Sequence, residues 1–155
     1  EFVDRLATIG DEHDVAVQAF DARAVVDRAH LERAVELANR AWERDTAVAR
    51  DRSVEILLWA AGRRQIDQAL ALGVDEGEGP VVVVVDALDG DATDSEDVAA
   101  DHVRTLLNSV EPTLGAYDDA RVRDFFEVTD AELAAVDGDL ADLVRERVAL
   151  LAVER

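Results

Sequence analysis

The sequence contains no cysteine, no methionine and no lysine, and only two prolines. The missing cysteine excludes disulfides, thiol catalysis and any cysteine-ligated zinc site. Aromatic residues make up only 5%. No uninterrupted apolar run approaches the roughly 18 residues that span a bilayer, and the five-valine run Val81–Val85 falls far short. A secretory signal pattern is also missing. The first residue is not Met. The expectation is therefore a chain that has lost its start, with a first strand before Glu1.

What is present is acid. All 16 basic residues are Arg, against 22 Asp and 14 Glu, for a net charge of -20. Such a charge favours solubility and causes self-repulsion in dilute salt. At about 1 M salt the screening length falls to about 3 Å and the repulsion fades. Acid excess joined to absent Lys reads as a cytoplasmic protein of a halophile. The plainer alternative is an acidic mesophilic protein that happens to lack Lys. Apolar residues still reach 49%, enough for a core. The 155 residues suit one domain, 1–155.

Periodicity orders the chain. Phe2, Leu6 and Ile9 predict a short helix ending near Gly10. Residues 15–20 alternate as a strand, and Asp21 opens a short helical stretch. Leu31, Ala34, Val35, Ala38, Ala41 and Trp42 mark an amphipathic helix, with Asn39 and Arg40 on its polar face. Ser53 is placed as the cap of an apolar helix, Val54–Ala61, which should be buried. Gly62 interrupts it, Ile66, Ala69 and Leu70 resume helical spacing, and Gly73 terminates. Val81–Val85 reads as a buried strand. Residues 86–97 read as an acidic loop before a helix around Val98–Leu107. Val122–Val128 is predicted as a strand. Thr129 and Glu132 form a capping-box pattern, and Leu140–Leu151 a last helix. The interleaving predicts an α/β fold: one small mixed or antiparallel sheet with several helices packed on it.

Catalytic patterns are poor. His13, His30 and His102 stand by no nucleophile in sequence, and His30 reads as a capping or packing residue. Gly73, Gly77 and Gly79 follow a helix and sit among acids, the reverse of a phosphate loop. Asp86, Asp89, Asp91 and Asp94 suggest a calcium loop, but a loop opened at Asp89 needs Glu where Ala100 stands. The informative exception is positive: residues 40–64 hold six Arg and four acids. Arg50, Arg52, Arg63 and Arg64 flank the apolar helix. They read either as ends reaching solvent or as a contact for anions or nucleic acid, since the guanidinium fork binds phosphate and stacks on bases.

At this segment the chain resembles a known family. Glu55-Ile56-Leu57-Leu58-Trp59-Ala60-Ala61-Gly62-Arg63-Arg64-Gln65-Ile66, then Ala69 and Gly73, resembles the PRPK-binding-protein family, a subunit of the KEOPS (EKC) complex. His30-Leu31 with Ala34, Ala38 and Ala41, then Ala49-Arg50 and Ser53, extend the resemblance, which is firm from His30 to Val85. It implies a non-enzymatic subunit without catalytic residues or cofactor. Such a subunit docks on a kinase-like ATPase, meets other KEOPS subunits indirectly and supports N6-threonylcarbamoyladenosine formation on tRNA. It also implies binding of the tRNA 3' CCA tail. Arg63 and Arg64 would then meet phosphates, Gln65 a base edge and Ile66 a base face. Arg50 and Arg52 are further candidates on local charge. The rival reading is a regulatory domain that senses a small anion or nucleotide at the Arg pair, and a hydrolase is a third.

Overall fold

The valine run finds its partner in the strand read near Ala16, and the rest of the chain packs about that ribbon and one apolar helix. The computed structural model describes residues 2–74, 79–88, 93–107, 109–110, 112–136 and 138–154. Strand β1 (Ala16–Asp21) runs antiparallel to β2 (Val81–Asp86), with Ala16 opposite Asp86 and Asp21 opposite Val81. Branching at Cβ favours the extended backbone here. A lone two-stranded ribbon is marginal in water, so both faces need cover. Alternation along β2 supplies it: Val82 and Val84 join a large core, Val83 and Val85 a small one. Each valine stays half-buried, so β2 is less enclosed than its composition suggests.

The small core lies under α1 (Phe2–His13) and α5 (Thr93–Thr105), which contribute Leu6, Ile9, Ala99 and Val103. Helix α1 runs past Gly10, beyond its predicted end. Gly10 is needed for close approach instead, because a Cβ there would lie 2.8 Å from the Val15 carbonyl oxygen. The returning chain turns at Asp14, with φ of 52°, and the Val15 N–H donates to Gly10 O at 3.0 Å.

The large core is built by α2 (Arg28–Glu43), α3 (Arg52–Ala61), α6 (Asp119–Phe126) and α8 (Leu140–Glu154). Asp27 caps α2 by accepting from the His30 N–H at 2.9 Å. The buried stripe of α2 includes Leu37 and leaves Val35 and Trp42 at its margin, a small rotation from the predicted face. Asp51, rather than Ser53, caps α3, and Ser53 lies within the first turn, donating to the Asp51 carboxylate. Seven consecutive residues of α3, Glu55–Ala61, are buried. Gly62 then takes the left-handed conformation, φ 63°, which favours glycine. The chain re-enters α4 (Ile66–Ala69) and a 3-10 turn, Leu70–Leu72.

Other expectations fail in physical detail. Residues 122–128 are not a strand: they lie mostly in α6. Val122, Phe126 and Val128 satisfy a period of two, but Val122 and Phe126 also satisfy i, i+4. Asp118 supplies the deciding cap, accepting from the Arg121 N–H. The acidic segment is also shorter as a loop than 86–97. Asp86 ends β2, α5 begins at Thr93, and Glu96 accepts from the Ala87 N–H at 2.7 Å. Asp89, Asp91 and Gly77 fall outside the described residues. Thr129 caps α7 (Asp130–Ala135) as expected, accepting from the Glu132 N–H at 3.1 Å, and the Glu132 carboxylate meets both the Thr129 backbone N–H and Arg147, the latter at 2.7 Å.

Three polar side chains are buried in the described core: Asp21, His30 and Glu55. The Glu55 carboxylate accepts from the Val48 and Ala49 N–H groups and from Trp59 Nε1, each at 3.0 Å. His30 lies inside α2 and bridges to α3: Nε2–H donates to Ala60 O at 2.7 Å, while Nδ1 accepts from the Val26 N–H at 3.4 Å. That pairing suits the neutral ring. Burial holds its pKa below the ordinary value, outweighing the Ala60 contact and the Asp27 charge.

Two stability predictions follow from these buried groups. The unfolded chain takes up the His30 proton first, so the His30 contribution is full above about pH 6.5 and declines as pH falls below it. Urea titrations between neutral and mildly acid pH should show a stability loss that is smaller in His30→Gln. Glu55→Ala strands three donors and should cost about 3 kcal/mol. Glu55→Gln, which keeps one acceptor oxygen, should cost less in the same titrations.

Candidate nucleic-acid interface

The candidate residues fall at the two ends of α3. Ten residues rise about 15 Å, so the structure separates Arg50 and Arg52 from the Arg63–Ile66 strip by about that distance. Arg50 is exposed. Arg52 is turned inward, with only 10% of its side chain exposed. Its guanidinium donates to Asn39 Oδ1 at 2.8 Å, to Asp86 Oδ2 at 2.7 Å and to the Asp86 carbonyl. Asn39 Nδ2 donates to the same carboxylate at 2.9 Å. Thus Asn39, read from sequence as a solvent-facing residue, joins a clamp that ties α2, α3 and β2.

The other end is built by the bend at Gly62. A Cβ on Gly62 would lie 3.4 Å from Arg147 O, so the bend sits closely against α8. Arg63 follows, half-buried. Its guanidinium donates to Phe125 O at 2.5 Å, lies 5.3 Å from the Phe125 ring centroid and reaches Glu127 at 3.7 Å. Phe125 O belongs to the last turn of α6, where carbonyls have no intrahelical donor. Arg63 therefore caps α6 from outside. Arg147 does the same at Phe126 O, 3.2 Å, and Glu127 O, 3.4 Å. The Arg147–Glu132 hydrogen bond lowers the Glu132 pKa and raises that of Arg147.

Arg64, Gln65 and Ile66 are exposed beyond Arg63. Gln65 precedes α4 without capping it, and its Oε1 accepts from Gln68 Nε2 at 3.4 Å. Ile66 is 44% exposed and Leu70, one turn on, 57%. The strip 63–66 thus joins two guanidiniums, an amide and an apolar step on one short segment. Its neighbours Leu70 and Phe125 were not singled out from sequence. The first fits a helical core pattern and the second the predicted strand at 122–128. The adjacent pair Phe125-Phe126 in an aromatic-poor chain is the signal that marks the second.

An open cavity of about 610 Å³ lies at the opposite end, by the N-terminus of α3. Asp11, Asp14 and Asp51 line it with Trp42, Arg52 and Leu88. Three carboxylates face one guanidinium already bound to Asp86, which disfavours phosphate there. Among the described residues no helix is long and apolar enough to cross a membrane.

In comparisons with known proteins, no curated protein matches the chain. A family model described as kinase binding protein CGI-121 matches residues 2–152. That match takes in the ribbon, both cores and the Gly62 bend, so the chain belongs to the CGI-121 family of kinase binding proteins.

Proposed function

We propose that the chain is a non-catalytic subunit of a KEOPS-type complex, binding a kinase-like ATPase subunit and the 3' CCA tail of tRNA. In that role it supports N6-threonylcarbamoyladenosine modification in the cytoplasm of a halophilic archaeon. The kinase partner follows from the family match across residues 2–152. The single observation that supports the RNA contact is the exposure of Arg64, Gln65 and Ile66 next to Arg63 on an acidic body.

In molar salt, counterion release adds little to affinity. Recognition then rests on directed hydrogen bonds and stacking. The strip offers both: Gln65 for a base edge, Ile66 for a base face, Arg63 and Arg64 for phosphate. Single-stranded RNA suits it, because unstacked bases expose the edges and faces such a surface reads. The acids around the cavity at the far end of α3 repel the same ligand and so confine it to the bend. Arg52 is committed to Asp86 and takes no part in this contact.

The cleanest test uses exposed positions, since Arg63 also caps α6. Ile66→Glu should lower tRNA affinity at least tenfold in a gel shift at high KCl with the thermal melt unchanged, and Arg64→Glu should act in the same direction. Removing CCA from the tRNA should reproduce the loss with the native chain. Equal binding of trimmed and intact tRNA would end the tail-binding reading. Pull-down from a high-salt lysate should recover a kinase-like ATPase with the native chain and with Ile66→Glu alike. Recovery of tRNA without any such ATPase would count against the complex.

A further inference from the structure

We infer that the nucleic-acid surface continues from the bend onto α6, with Phe125 as the positioning residue that holds Arg63 as a stacking platform and Arg121 as a further phosphate contact. This rests on the tail-binding reading and extends it to a part of the chain that reading does not use.

Three observations carry it. First, Arg63 is held from three sides, by Phe125 O, by the Phe125 ring and by Glu127. Yet 27% of its side chain remains exposed, beside Arg64–Ile66 in the chain. A guanidinium over an aromatic ring is fixed in place and keeps one planar face for a second π-system. A base laid on it would complete a ring–guanidinium–base stack, and little rotamer freedom would be lost on binding.

Second, Arg121 and Phe125 stand four apart on α6, so they share a face about 6 Å apart along the axis. Arg121 is 42% exposed and reaches the Asp21 carboxylate only at 3.5 Å. Asp21 already takes Nε and Nη2 of Arg23, at 3.0 and 2.9 Å. The closer guanidinium neutralises the carboxylate, and Arg121 retains donors for a phosphate. Third, neighbouring Arg residues are committed to acids: Arg23 to Asp21, Arg123 to Asp119 and Asp130, and Arg147 to Glu132.

The test uses the full chain and intact tRNA, with anisotropy measured across a KCl series. Phe125→Leu should weaken binding about tenfold, the scale of one lost stacking contact. It should not further weaken the residual binding of CCA-trimmed tRNA, and Phe125→Tyr should restore native affinity. Arg121→Gln, a surface change that leaves the platform intact, should reduce the slope of log affinity against log salt by about 0.7, one single-strand phosphate. If Ile66→Glu abolishes tail binding while Phe125→Leu and Arg121→Gln bind as the native chain, α6 is not part of the surface and the bend alone carries the RNA. If all of these variants and the trimmed tRNA bind like the native pair, the tail-binding reading fails as well.

Discussion

The fold depends on keeping one apolar helix buried along its length. Helix α3 is covered by α2, β1 and α8, and an isolated ten-residue helix has little stability of its own in water. Burial solves that and raises a second problem, because a buried helix must have its ends and approaches satisfied. Each demand is met by a different element. Glu55 gathers the N–H groups of the incoming loop, His30 spans from α2 to Ala60 O, and Arg52 ties the first turn to Asp86. At the far end Gly62 allows contact with Arg147, and Arg63 binds α6. The same contacts therefore register α3 and orient whatever the chain presents after it.

Charge is organised by the same logic. Several Arg residues pair within their own helix: Arg28 with Glu32, Arg33 with Glu36, Arg104 with Asp101. Such exposed pairs contribute little and less in salt. A second group joins distant segments: Arg52 to Asp86, Arg145 to Asp27, Arg147 to Glu132. Arginine suits these places because its fork serves several acceptors at once, as Arg52 does. With no Lys in the chain, every long-range cationic staple is a guanidinium. The acidic excess is left on the surface, where added salt would screen it.

Much of this was legible in the sequence. The Leu31–Ala41 stripe obeys one dominant period and the Gly62 break one backbone conformation, so local pattern and burial agree there; the valine run predicts the strand but not its half-burial. The segment 122–128 was misread because its apolar residues satisfy two periods, and the choice lay in a cap at Asp118 outside the pattern. The candidate strip was visible as an Arg-rich string, but its division was not. Arg52 and Arg63 look alike in sequence; only Asp86, thirty-four positions later, and Phe125, sixty-two later, give them their separate tasks. Spacing along the chain carries no record of such partners.

The position of the exposed strip has a physical reason. A helix sealed on all sides offers no recognition surface, and its carbonyl end favours cations. A left-handed glycine at that end lets the chain leave abruptly, so that a buried residue, Ala61, and exposed residues, Arg64 to Ile66, lie only a few positions apart. The strip is anchored on either side by buried residues, Ala61 and Ala69. For the proposed RNA contact such anchoring would matter most where salt screens long-range attraction.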